Sequence, residues 1–259
     1  MALAELRPLS TGEILDNAFG LYRKHLAPLA VIVLVVGAGP TILELYVQAS
    51  GGFLARPVLG VLTGLLNIVL SAIGTAAAVF IVSDSYLGRP VNAWDALSRA
   101  VPYIARVAVL SILTTLVVGL GLIAFFIPGL IFLSALMVST QALVLEEDQS
   151  PIDAMGRSWQ LTKGFRWKVL ALVVVTAIIV TIPSLAGGIA AAFFAPGIGV
   201  LTDPSRLPIG WYLAMVFGAV IQLLLYPLMY SVLTVLYYDL RVRKEGFDLD
   251  VLAQALETS

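Results

Sequence analysis

The chain has no cysteine. That removes disulfides, thiol nucleophiles and thiolate metal sites. Histidine is nearly missing too: His25 stands alone, so no histidine cluster exists to hold a metal. Charge is scarce. Only 12% of the 259 residues are Asp, Glu, Lys or Arg, about half the share of an average soluble domain. Fifteen basic against sixteen acidic residues give a net charge of −1, which offers no footprint for nucleic acid. No polar stretch is much longer than about twenty residues, too short for a soluble domain.

What the chain has is apolar length. Hydrophobic residues make up 60% of it and the mean hydropathy is +1.00. A hydrocarbon core is crossed by about twenty apolar residues in a helix. Runs of that kind lie near 28–48, 57–83, 103–126, 128–145, 168–194 and 211–238. The third and fourth are separated only by Ile127, Pro128 and Gly129. They are expected either to cross fully or to form a re-entrant pair, with the same parity in both cases. Pro183 and Pro227 lie inside the fifth and sixth runs, where each removes a backbone donor. Trp211 and Tyr212 mark one end of the last run and Tyr237 and Tyr238 the other, as an interfacial aromatic belt would.

The basic residues sort by parity. Arg7, Arg23, Lys24, then Arg89, Arg99, Arg106, then Arg157, Lys163, Arg166, Lys168, and finally Arg241, Arg243, Lys244 occupy alternate polar segments. Only Arg56 and Arg206 fall in the others. This is the positive-inside pattern of six spans with both termini in the cytoplasm. The segment before the first span lacks an apolar core beside a small-residue cleavage site, so the first span is expected to serve as an uncleaved insertion signal.

The inner segments carry a repeated device. Residues 10–26 suit an amphipathic helix, with Ser10 and Glu13 as a capping box. Ile14, Leu15, Ala18, Phe19, Tyr22 and Leu26 share one face. Residues 92–101 repeat the plan behind an Asn92 cap, with Trp94, Leu97, Val101 and Ile104 as the stripe. A third copy is expected from Asp153, with Ile152, Met155, Trp159 and Thr162. Pro28, Pro102 and Gly164 separate these helices from the spans that follow. After Gly246, Phe247, Val251, Leu252, Ala255 and Leu256 could form a fourth surface helix.

Small residues set where helices approach in lipid. Gly60 and Gly64 form a Gly-x-x-x-Gly pair, and Gly74 and Ala78 continue the small residues along that helix, suited to close helix contact or to lining a groove. Intramembrane ionisable residues are few. Glu44 lies near the outer end of the first span, where it could reach water, pair with Arg56, or bind a proton or cation. Asn67, Gln141 and Gln222 are neutral and are expected to bond across helices. Glu146, Glu147 and Asp148 suit a solvated acidic turn better than a metal cage, because consecutive side chains diverge. Serines abound, but no base is placed inside the bilayer to activate one.

Three segments, Leu9–Arg23 (LSTGEILDNAFGLYR), Arg157–Gly164 (RSWQLTKG) and Leu236–Phe247 (LYYDLRVRKEGF), resemble bacterial multi-span proteins of the glycerophosphodiester phosphodiesterase membrane-domain-like type. The likeness extends over nearly the whole chain. It implies a membrane part that is sometimes fused to a soluble phosphodiesterase barrel, while stand-alone members are largely of unknown function. No segment here is long enough for such a barrel.

Sequence alone therefore predicts an all-α membrane protein: six transmembrane helices in three hairpins, each preceded by a cytoplasmic amphipathic interfacial helix. Residues 1–259 form one polytopic domain, with pseudo-repeats at about 10–83, 90–145 and 151–238 and a tail at 239–259. The expected function is a non-enzymatic scaffold, accessory or assembly subunit of the bacterial cytoplasmic membrane, without cofactor or metal. Anionic lipid head groups at the cytoplasmic face are the expected partners, with room for a protein partner and none for nucleic acid. Candidate interaction residues are Arg157, Trp159, Lys163, Trp94 and Phe19. The alternative is a transporter or lipid-handling protein. A cavity lined by Glu44, Asn67, Gln141 or Gln222 would favour it; mutual bonding of those side chains in a packed interior would count against it.

Overall fold

The computed structural model describes residues 7–50, 52–194 and 209–246. All regular structure among them is helical. In chain order the helices are α1 (Thr11–Lys24), α2 (Leu26–Ala49), α3 (Gly52–Ala55), α4 (Pro57–Tyr86), α5 (Ala93–Ala100), α6 (Ile104–Ala124), α7 (Phe126–Leu136), α8 (Ser139–Leu145), α9 (Pro151–Thr162), α10 (Arg166–Phe194) and α11 (Ile209–Glu245). Among the described residues, five stretches are long and apolar enough to cross a membrane: Leu26–Gln48, Pro57–Tyr86, Ala93–Ala124, Phe126–Leu145 and Arg166–Pro183. The expected span 211–238 lies within α11, a helix of 37 residues. The surface helix expected after Gly246 lies outside the described residues, as do Arg206 and the side chains of Trp211, Tyr212 and Gln222.

Local chemistry explains most boundaries. The Ser10 hydroxyl accepts from the Glu13 N–H and the Glu13 carboxylate accepts from the Ser10 N–H, so α1 starts on the expected capping box. Asn92 Oδ1 accepts from Trp94 N–H at 2.9 Å and caps α5. The start of α9 differs from expectation. Ser150 caps it and Pro151 takes the first turn, two residues before Asp153, where a missing N–H costs nothing. Gly164 and Gly246 adopt φ of 91° and 65°, conformations that stop α9 and α11 without a Cβ clash. Pro102 does not break the chain as expected. Residues Val101–Tyr103 form a 3-10 turn with right-handed dihedrals, so α5 runs into α6 through it. Only Phe125, extended, separates α6 from α7, and a turn at Met137–Val138 divides α7 from α8.

Helix α11 is the axis of the packing. It lies along α10 and also touches α1, α2, α4, α8 and α9. α2 packs on α4, and α6 on α7. The core is concentrated at the end of the bundle where α4 and α11 finish, termed the basic end. Most of α4 from Ala72 to Tyr86 is buried, whereas Thr63 is its one buried residue before that. Toward the other end Ile42, Leu62, Leu65, Leu213 and Phe217 are exposed. Such a continuous apolar surface suits lipid and not water.

The short inner helices bury a narrower face than their apolar stripes suggest. α1 buries Ile14 and Ala18, with Leu21 partly covered. α5 buries Ala93, Leu97 and Ala100, and α9 buries Ala154, Ser158 and Leu161. In each the spacing is i, i+4, i+7, one helix face. Ile152 and Val101, expected in the stripes, are exposed.

Candidate functional site

Two polar constructions stand out. The first is a hub at the basic end, built by three consecutive residues of α11. Successive side chains on a helix point about 100° apart, so each can reach a different neighbour. Tyr237 donates its hydroxyl to Glu146 Oε1 at 2.8 Å, beyond the end of α8. The Tyr238 hydroxyl lies 2.6 Å from Ser83 Oγ on α4, and its ring stacks on Tyr86. Asp239 accepts the Leu9 N–H at 2.7 Å and Lys168 Nζ at 2.6 Å. Arg243 closes the group, donating to both Asp239 oxygens at 3.0 Å and to the Leu9 carbonyl at 2.7 Å. All three α11 side chains are buried. The tyrosines therefore sit inside the bundle and not in a lipid-facing belt.

Acid–base pairs tie the inner helices to this hub. Arg99 on α5 pairs with Asp84 at the end of α4. Arg157 on α9 donates to both Glu146 oxygens at 2.9 Å and pairs with Glu245. Glu146 is therefore no solvated turn residue; Glu147 and Asp148 are the exposed ones. Burial opposes the charge on Glu245, but hydrogen bonds from Arg157 and Arg241 outweigh it and hold that carboxyl below its usual value. Trp159 is 36% exposed, with the Arg166 guanidinium 4.2 Å from its ring centre and Phe132 beside it. Phe19 is half-buried against the core, Lys163 is exposed, and Trp94 is 66% exposed. Of the five interaction candidates, then, Arg157 and Trp159 turn to the protein's own residues, and Trp94 and Lys163 are exposed on the surface of the described residues.

The second construction is a groove of about 360 Å³ between α2, α4 and α11. It brings together Glu44 and Asn67, two of the four intramembrane polar candidates. Its walls follow from residues that keep helices apart or thin. Pro40 and Pro227 both line it, and Pro40 leaves the Val36 carbonyl without its helical donor. Gly74 lets α4 approach α2; a Cβ there would meet Val36 Cγ2 at 2.7 Å. The Thr75 and Tyr230 hydroxyls, 2.7 Å apart, tie α4 to α11 across the floor. Pro40 was legible as a proline inside an apolar run, but nothing in the sequence assigned it to a groove.

The other candidates lie elsewhere. Gln141 is fully buried on α8, and its amide atoms have no hydrogen-bond partner among the described residues, contrary to the expected cross-helix bond. Glu44 and Arg56 are both exposed and form no ion pair among the described residues. Among the described residues Gly60 meets only the short helix α3, where a Cβ would strike the Phe53 ring, and Gly64 faces open space. His25 caps the junction of α1 and α2; burial, then the Lys24 charge, lower its pKa and keep the ring neutral at pH 7. No protein-family model matches the chain, and no solved structure matches it either.

Proposed function

We propose that this chain is a non-enzymatic multi-span protein of the bacterial cytoplasmic membrane that handles a lipid or other amphiphile through the groove between α2, α4 and α11. The groove carries the reading. It joins Glu44 and Asn67 to a largely apolar wall and opens on the loosely packed half of the bundle, beside exposed lipid-facing side chains. In this reading six spans cross, both termini are cytoplasmic, and the basic end faces the cytosol against anionic head groups. A threefold plan supports the pseudo-repeats: the chain returns to the basic end three times, at Asp84, Glu146 and Asp239, and each acid binds an inner helix or its start. The three segments that resemble the phosphodiesterase membrane-domain type also converge there, through Leu9 with Asp239 and Arg157 with Glu245.

The absence of native cysteine makes the topology directly measurable. Single cysteines at Arg56 and Gly88 are expected to react with an impermeant maleimide from opposite sides of the membrane. Labelling of both from one side would overturn the six-span arrangement. For the groove, a tryptophan at Ser71 should abolish copurifying lipid without loss of folded protein; unchanged lipid content would sink the lipid-handling reading.

A scaffold or accessory subunit is the second reading. Exposed Trp94 on α5 and Ile152 on α9 favour it, since both project away from the bundle at the basic end. It ranks second because Arg157 and Trp159, the strongest docking pair by residue type, are engaged internally. Recovery of the protein from native membranes with no stoichiometric partner would remove its support.

A further inference from the structure

The groove is graded along its length. Leu29 and Glu44, both on α2, bound it, and the 15 intervening steps span about 22 Å at 1.5 Å per residue. Toward the basic end its lining is buried and largely apolar, with Leu29, Ile32 and Ala78 beside the Thr75 and Tyr230 hydroxyls, which are bonded to each other. Toward the other end it is open and polar, formed by Thr41, Glu44, Asn67 and Ser71. Of all its lining residues only Glu44 carries a carboxyl group, and no cation is paired to it among the described residues. A polar mouth, a largely apolar wall and a single unpaired carboxyl group at the mouth fit an amphiphile with a cationic, hydrogen-bond-donating head. The length matches an acyl chain better than a compact solute, and an anionic head would meet repulsion.

Resting on the lipid-handling reading, we infer that the groove takes a membrane phospholipid whose head carries a primary ammonium, with Glu44 receiving the ammonium, Asn67 accepting a second donor, and an acyl chain lying along Val36 and Pro40 toward Leu29. The trimethylated head of a choline lipid lacks N–H donors and should bind less well.

The test uses the full chain in nanodiscs containing equal amounts of phosphatidylethanolamine and phosphatidylglycerol with identical acyl chains. Native mass spectrometry then counts each retained lipid. Retention should favour the ethanolamine lipid about tenfold, the scale of one charge-assisted contact. Glu44→Gln should bring the ratio near unity while lipid is still retained. Ser71→Trp should remove both adducts, with Asn67→Trp as the second filling variant should the first fail to fold. If Glu44→Gln leaves the ratio unchanged, or the native chain shows no preference, the ammonium assignment is wrong and the groove reading stands. If neither tryptophan lowers total lipid, the groove reading itself is wrong.

Discussion

The Asp239 carboxylate holds the Leu9 N–H at 2.7 Å across 230 residues of sequence, and so fastens the start of α1 to the end of α11. Its side chain is completely buried, and Lys168 and Arg243 supply the compensating charge. Removing one partner of a buried ionic group strands the others in a low dielectric, at about 3–5 kcal/mol. Asp239→Asn should therefore lower unfolding free energy in mixed micelles by about 3 kcal/mol. Arg243→Met should cost less, because Lys168 still neutralises the carboxylate. Equal losses would show that the hub does not work as a shared charge cluster.

Glu146 is bound twice, by Tyr237 and by Arg157. Tyr237→Phe removes a single hydrogen bond and should cost about 1 kcal/mol. Arg157→Ala leaves Glu146 half-compensated and Glu245 with Arg241 alone, so its loss should be larger. A double-mutant cycle between Arg157→Ala and Glu146→Gln should show coupling of about 1–3 kcal/mol. Zero coupling would free Arg157 for the docking role its residue type suggests.

The sequence showed the elements better than their faces. Apolar runs of membrane length and the caps Ser10 and Asn92 are local signals, and the helices begin where those signals fall. Faces depend on partners far away. Tyr237 and Tyr238 carry the same signature whether they border lipid or fill a bundle, and only the arrival of Ser83 and Glu146 decides it. The line of small residues on α4 names a surface without saying which part is covered; Gly74, further along that line, makes the close approach to α2 and the Gly60–Gly64 pair does not. Glu44 and Asn67 were visible as unusual residues. Their meeting depends on which faces of α2 and α4 pack together, and no local pattern encodes that.

Glu13 gives a pH signature. Its carboxyl pKa is lowered to about 2, first by the Ser10 N–H and then by Arg7. A carboxylate depressed in the folded state adds stability above its unfolded value of 4.5 and loses it as pH falls toward about 2. The stability difference between the native chain and Glu13→Gln should be constant above pH 5 or so and shrink through that acid window. Urea-induced loss of helix in micelles, followed at several pH values, measures it. A difference that is flat down to pH 2 would mean that the capping box acts through geometry and not through charge.

The tight α6–α7 connection rests on Gly129. A Cβ at that position would lie 2.5 Å from the Leu122 backbone nitrogen and 2.6 Å from its Cα. Backbone cannot swing aside as a side-chain tip can, so Gly129→Ala must open the turn or strain it, at about 1–3 kcal/mol. Gly64 is the opposite case, with open space around it in the middle of α4. There alanine should be neutral or stabilising by up to about 1 kcal/mol through helix propensity. The two substitutions are chemically identical and both fall within helices, so the sign of each effect reports packing alone. Thermal unfolding of the pair in the same detergent decides the matter. If Gly64→Ala is the more damaging, the Gly-x-x-x-Gly surface is covered in the membrane by a second copy or another chain, and the open side of α4 is an interface.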